Sequence, residues 1–156
     1  MTKSSLQSDL GQGRPFRSPG QEAAIALLRT ADEVRHRLAA AVEPHGVTLQ
    51  QYNVLRILRG AHPEPLATLD IRDRMIERMP GITRFVDRLE RLGLLERERS
   101  ADDRRIVHCR ITPRGLQLLA TMDDAVDRAD ESAVAGLDGT ELETLLGLLG
   151  RIRSNG

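Results

Sequence analysis

The chain has 156 residues, equal numbers of basic and acidic side chains and 40% hydrophobic residues, which is typical of a single soluble globular domain. No apolar run approaches the length of a membrane-spanning helix, and one cysteine excludes an internal disulfide, as expected in a reducing cytoplasm. Only three aromatic residues occur, which argues against a stacking platform for single-stranded nucleic acid. Residues 1–18 are polar and rich in Gly and Pro, lack the apolar stretch of a signal peptide, and are predicted to be a flexible arm.

The charges are unevenly distributed although they sum to zero. Residues 1–114 hold 20 basic and 15 acidic side chains, whereas residues 115–156 hold 3 and 8. The basic surplus is compatible with a local site for a polyanion, but the whole chain lacks the strongly basic composition of many nucleic-acid-binding domains. Composition therefore permits nucleic-acid binding without establishing it.

Two helices are predicted in the first 60 residues. Apolar residues recur at spacings of three and four over residues 19–43, and "PHG" at 44–46 ends that helix. Thr48 and Gln51 occupy the two positions of a capping box, which predicts a second helix that ends at Gly60.

Two more helices are predicted on either side of a turn. The first begins at Thr68, and the second has Pro80 in its first turn, continues over residues 80–92 and ends at Gly93. The apolar positions of the second helix fall on one face and its polar positions on the other. The residues of the first helix that are predicted to face the core are Ile71, Met75 and Ile76.

After Gly93 the period of the apolar pattern changes from about 3.6 to about 2 residues. Two short strands, "LLERERS" and "IVHCRIT", are predicted, and residues 100–105 join them as a hairpin. In the second strand, Val107, Cys109 and Ile111 are predicted to face the core.

Two helices complete the chain. Thr112 can cap the first, with Pro113 in its first turn, and either Asp138 or Thr140 can cap the second. The predicted fold class is mainly α with a small β-hairpin wing, in which about six helices are arranged as four helices, the hairpin and two helices. Two short helices joined by a tight turn and followed at once by a hairpin describe a winged helix-turn-helix.

In a helix-turn-helix the second helix of the pair lies in the major groove of DNA. The residues of this helix that are predicted to contact DNA are Gly81, Thr83, Arg84 and Arg88. Gly81 allows close approach of the backbone, and Thr83 at the positive end of the helix suits a phosphate. Arg84 or Arg88 can bind the two acceptors of a guanine. The alternative is that these residues form only the solvated face of an amphipathic helix.

The predicted hairpin tip, within "SADDRRIV" at 100–107, carries two arginines where a solvated loop more commonly has Gly, Asn or Ser. Arg104 and Arg105 are predicted to contact DNA, because an arginine at the end of a rigid hairpin can enter a narrow minor groove. Asp102 or Asp103 can pair with a neighbouring arginine and hold the tip in shape. The alternative is a surface salt-bridge cluster of little energetic value.

The stretch "GITRFVDRLERLGLLERERSADDRRIVHCRITPRGLQLL" resembles the MarR family of bacterial transcription factors. The shared motifs are the T-R-x-V-D-R-L-E run, the G-L-L-x-R after it, the D-x-R of the wing and the I-T-x-x-G that opens the next helix. The resemblance implies a homodimer, entwined by its N- and C-terminal helices, that binds a palindromic operator in double-stranded DNA as a repressor. It also implies that Arg105 is the minor-groove residue and that Asp103 is its brace.

The predicted elements also set domain boundaries. Residues 48–112 are predicted to form the winged helix-turn-helix DNA-binding domain. Residues 19–47 and 113–156 are predicted to form a helical dimerisation region, because the terminal helices have apolar stripes beyond what the central part needs. An intramolecular bundle that uses the same stripes is the alternative.

The resemblance further implies a ligand-responsive regulator whose effector is a small aromatic or phenolic acid. The candidate pocket residues are His36, Tyr52, Arg56 and Arg59. The histidines are scattered and no nucleophile lies beside a base, so no metal, cofactor or enzyme activity is predicted. The predicted location is the bacterial cytoplasm, with nucleoid association when the protein is bound to DNA. Two alternatives are a winged helix that binds proteins without DNA, and a thiol-based redox regulator that uses Cys109.

Overall fold

The structure is a computed structural model that describes residues 5–78 and 80–155. The chain divides into two compact units, with the boundary between Arg37 and Leu38. Residues 1–4 of the predicted arm lie outside the described residues. No helix in the described part of the chain is both long enough and apolar enough to cross a membrane.

The described residues form seven α-helices, one short 3-10 helix and three strands. These elements confirm the predicted mainly helical fold with a small β wing. In chain order they are α1 (Ser5–Asp9), α2 (Pro19–Val42), the 3-10 helix (Glu43–His45), α3 (Leu49–Ala61), β1 (Leu66–Ala67), α4 (Thr68–Arg74), α5 (Ile82–Arg91), β2 (Leu95–Arg99), β3 (Val107–Ile111), α6 (Pro113–Val134) and α7 (Gly139–Ser154).

The three strands form an antiparallel sheet in the order β1–β3–β2. Strands β2 and β3 are the predicted hairpin, with Leu95 opposite Ile111 at its base. Strand β1 was not predicted; it has only two residues and pairs Leu66 with Cys109 across a long stretch of sequence. The hairpin is therefore attached to the rest of the unit along the outer edge of β3 as well as through its buried base.

Side-chain caps fix where three of the helices begin, as the sequence predicts. Thr48 caps α3 and forms a capping box with Gln51. Thr112 caps α6 through its side chain. Of the two candidates at the start of α7, Asp138 rather than Thr140 is the cap.

Three details of the first 90 residues differ from the prediction. Ile76 does not face the core, because α4 ends at Arg74 and the helical spacing that would carry Ile76 inward stops there; this residue is 74% exposed. Helix α5 begins at Ile82 rather than at Pro80, because Gly81 adopts a left-handed φ of 94° and is the N-cap. The short helix α1 lies within the region predicted as a flexible arm.

The core of the second unit is one cluster of buried apolar side chains. Helix α5 contributes Ile82, Val86 and Leu89 to this core, and β3 contributes Cys109 and Ile111. The predicted inward positions of both elements are confirmed at these residues, whereas Val107 of β3 is only half-buried. Because one face of α5 is fixed in the core, its opposite face is held toward solvent.

The glycine of the I-T-x-x-G motif stands where two backbones approach closely. A Cβ atom on Gly115 would lie 2.2 Å from the carbonyl oxygen of Leu94 and 2.7 Å from Cγ1 of Ile111. The carbonyl of Leu94 is already held, because it accepts a hydrogen bond of 3.1 Å from the backbone N–H of Thr112. Only glycine therefore fits at this point, where α6 passes the start of β2.

Replacing Gly115 by alanine is expected to lower the free energy of unfolding by about 1–3 kcal/mol, since the added methyl group forces two backbones apart. Urea unfolding followed by circular dichroism measures this. The matched control is Gly60→Ala in α3, where an added Cβ meets no atom within 4 Å. The control should leave stability unchanged or raise it by up to about 1 kcal/mol through helix propensity. Equal losses in both variants would contradict the close approach at Gly115.

Candidate nucleic-acid interface

Helix α5 presents its polar residues on the face opposite the core. Thr83, Arg84 and Arg88 are exposed, as is Gly81 at the N-cap. Within residues 5–78 and 80–155, the guanidinium groups of Arg84 and Arg88 have no hydrogen bond or ion pair. Helix α5 has no side-chain cap, and the backbone N–H of Arg84 donates to the carbonyl oxygen of Gly81 at 3.0 Å. The free guanidinium groups of Arg84 and Arg88 thus lie on the solvent face of the helix, in its first and last turns.

The tip of the hairpin is held by its own hydrogen bonds. The backbone N–H of Ser100 donates to the carbonyl oxygen of Ile106 at 2.9 Å, which closes the loop. Asp103 accepts a hydrogen bond of 3.0 Å from the backbone N–H of Arg105, and its carboxylate lies 3.5 Å from Nε of the same arginine. The side chain of Arg105 is 94% exposed. Asp103 therefore fixes the backbone from which the Arg105 guanidinium projects.

The second wing arginine is positioned through its backbone. Arg99, at the end of β2, donates from Nη1 to the carbonyl oxygen of Arg104 at 3.2 Å. This bond ties the tip to the strand, and the Arg104 side chain itself is exposed. Both arginines predicted at the tip thus stand out from an ordered loop.

An ion-pair cluster that links the wing to α5 was missed by the sequence analysis. Arg97 of β2 donates from Nη1 to Asp87 at 2.6 Å and from Nε to Glu90 at 2.9 Å, and its Nη2 also bonds Glu90. The hydrogen bond to Glu90 is the main reason that the pKa of Arg97 is raised. The only signal in the sequence is that Arg97 ends the G-L-L-x-R motif and Asp87 belongs to the T-R-x-V-D-R-L-E run.

Three of the four predicted effector residues lie together on α3. Arg59 donates from Nη1 to both carboxylate oxygens of Asp123 on α6, at 2.8 and 3.0 Å. Arg56 is exposed on the same helix, and burial raises the pKa of the Tyr52 hydroxyl. His36 lies in the first unit, and its side chain is 74% exposed. Effector binding by these residues stays a prediction.

Cys109 is fully buried in the middle of β3. Its sulfur lies 3.8 Å from Oγ1 of Thr68, and burial raises the pKa of the thiol. A raised pKa reduces the thiolate fraction at neutral pH, which disfavours the thiol-based redox alternative. No group of three His, Cys, Asp or Glu side chains that could hold a metal ion occurs in the described residues.

Exposed arginines thus lie in two places. One is the solvent-exposed face of α5, which follows a turn, and the other is the tip of the adjacent hairpin. This arrangement defines the class of protein as a winged helix-turn-helix.

Comparisons with known proteins agree with this class. A model of the MarR family matches residues 47–107. The chain is 38% identical to a MarR transcription factor from Planctomyces limnophilus, and the match covers 87% of this chain and 98% of that one with a TM-score of 0.67. MepR of S. aureus, solved as a DNA complex, shares the fold at 22% identity, with 85% and 97% coverage and a TM-score of 0.77.

A named regulator also matches over part of its length. A protein of Thauera aromatica, named as a transcriptional regulatory protein for the hcr operon, is 36% identical over 110 residues, or 69% of this chain. The matched stretch spans 63% of the length of that relative. The chain belongs to the MarR family of transcriptional regulators, a family of regulators rather than enzymes.

The Cys109 thiol is expected to be unreactive in the native protein. At pH 8 a thiol with a raised pKa remains mostly protonated, and its burial also blocks the reagent. Titration with a chromogenic disulfide reagent should give no rapid reaction in buffer and one thiol per chain in denaturant. Rapid native reaction at pH 8 would restore the redox alternative.

Proposed function

We propose that the protein is a homodimeric repressor that binds a palindromic operator in double-stranded DNA. Helix α5 reads the major groove through Arg84 and Arg88, and the wing enters the adjacent minor groove with Arg105. The observation that carries the proposal is the pairing of a 94% exposed Arg105 with a loop that Asp103 and Ser100 keep ordered. Because the backbone of the loop is already ordered, little backbone conformational entropy is lost when Arg105 enters a groove.

The charges of α5 support the same assignment. The guanidinium groups of Arg84 and Arg88 are not engaged by any described residue, so neither must break an ion pair before it binds DNA. The exposed hydroxyl of Thr83, at the positive end of α5, adds a donor for a phosphate. Helix α5 therefore carries groups that can contact both the phosphate backbone and the base edges.

Alanine at Arg84 or Arg105 is expected to weaken binding to a duplex selected from random DNA. A guanidinium that binds one guanine through two hydrogen bonds contributes about 1–3 kcal/mol to discrimination, and Arg84→Ala should cost about that much. Arg105→Ala should matter most where the flanks are rich in A·T pairs, because the minor groove is narrowest there. Fluorescence anisotropy with a labelled duplex measures both effects.

The matched control is Arg128→Ala, which removes an exposed arginine from the acidic part of α6. The parent should also show a log–log salt dependence with a slope of roughly −0.9 for each phosphate neutralised. If both interface variants bind as tightly as the parent at moderate salt, the assignment of the site is wrong. If the parent binds no duplex at all, the protein-interaction alternative takes its place.

The homodimer is supported by apolar side chains that the single chain leaves in water. Within the second unit, α7 has no buried residue, and Leu146 and Ile152 on its predicted apolar stripe are 60% and 54% exposed. In the first unit Leu28 of α2 is 72% exposed. We propose that a second copy covers these residues, since a twofold interface buries the same patch on both subunits.

Replacing Leu146 and Ile152 together by glutamate is expected to convert a dimer into a monomer. Burial of each such side chain contributes about 1.5–3 kcal/mol, so the dimer dissociation constant should rise on the order of a hundredfold or more. Sedimentation equilibrium measures the mass of the parent and of the variant. Leu69→Glu on α4, where Leu69 is 60% exposed outside the proposed dimerisation region, should leave the dimer intact. A monomeric parent would overturn the dimer proposal.

A further inference from the structure

Asp87 is placed where it could disable the recognition helix. It lies three residues after Arg84 and four residues before Arg91, and side chains at these spacings on a helix form ion pairs readily. An Asp87–Arg84 pair would occupy the guanidinium that is proposed to bind DNA. In the structure this pair is absent among the described residues, and the Asp87 carboxylate instead bonds Arg97 at 2.6 Å.

Arg97 is suited to bind the Asp87 carboxylate in preference to Arg84. Its planar guanidinium bonds two acids at once, Asp87 through Nη1 and Glu90 through Nε and Nη2. The side chain of Arg97 is only 30% exposed and that of Asp87 35%, so water weakens the pair less than at a fully exposed site. Arg97 also comes from a strand whose base is fixed in the core, which keeps the guanidinium beside α5.

We infer that Arg97 is a positioning residue for DNA binding, because it sequesters Asp87 and thereby keeps Arg84 free for the duplex. The inference rests on the proposed function and adds to it a residue that does not itself touch DNA. The role is one of competition between two arginines for one carboxylate. Glu90 serves as a second anchor for Arg97, and none of the positions three or four residues from Glu90 holds an arginine.

The test uses the full chain and a duplex that the parent binds. Arg97→Gln frees Asp87 to pair with Arg84, so binding should weaken roughly three- to tenfold. Adding Asp87→Asn to Arg97→Gln should restore the affinity to within about twofold of the parent, because the competing carboxylate is gone. Asp87→Asn alone should bind as tightly as the parent.

The matched control is Arg97→Gln with Glu90→Gln. This variant has the same net charge as Arg97→Gln with Asp87→Asn, and it also removes a carboxylate from α5. Glu90 has no arginine three or four residues away on the helix, so the affinity should stay low. The slope of log affinity against log salt should be the same for the parent and Arg97→Gln, since Arg97 neutralises no phosphate. Thermal midpoints confirm folding, and Arg97→Met, which also removes the charge but keeps a long side chain, replaces Arg97→Gln if that variant is unfolded.

Four outcomes would overturn the inference. In the first, Arg97→Gln binds DNA as tightly as the parent. In the second, both double variants regain the parent's affinity equally, and in the third neither regains it. Any of these would make Arg97 only a brace between β2 and α5. A salt slope that becomes shallower by roughly 0.9 in Arg97→Gln would make Arg97 a phosphate contact instead. Failure of the parent to bind any duplex would refute the proposed function itself, and it would be seen before any variant is compared.

Discussion

The apolar face of α5 and the base of the β2–β3 hairpin are buried in one core, and the rest of the candidate interface depends on this shared burial. Val86 is 1% exposed, and Leu95 and Ile111 at the hairpin base are 2% and 3% exposed. Because protein interiors are densely packed, rotating α5 or tilting the hairpin would open voids at these side chains. Helix α5 and the base of the hairpin that carries the wing are therefore held in a fixed relation to each other.

Five arginines of the second unit illustrate two different physical roles. Arg59 and Arg97 join separate elements through carboxylates, and their side chains are about one-third exposed, at 35% and 30%. Arg84 and Arg88 have no ion-pair partner among the described residues, and Arg105 is almost wholly in solvent. Ion pairs between elements stabilise the scaffold modestly, whereas arginines that join no two elements are available to attract a polyanion.

The fold could be predicted from local signals, whereas the interactions between distant residues could not. Thr48 with Gln51 and the apolar period of α5 act within a few residues, so the sequence displays them directly. The sequence does not display the pairing of β1 with β3, nor which acid Arg97 selects, because these depend on segments brought together by folding. Ile76 was misplaced because a helical spacing was extended past the end of α4. At the candidate site, the exposure of the α5 and wing arginines agrees with the apolar pattern of the sequence. The ion pair between Asp87 and Arg97 joins a helix to a strand and is evident only in the folded structure.

Chemical footprinting tests most directly whether two copies present two α5 helices and two wings to one face of a duplex. Methylation of guanine N7 in the major groove should be blocked at two places about 10 base pairs apart. Hydroxyl-radical cleavage should be reduced in the minor groove on the outer side of each of these two protected sites, in a twofold-symmetric pattern. One asymmetric protected stretch, or protection confined to the major groove, would contradict the account.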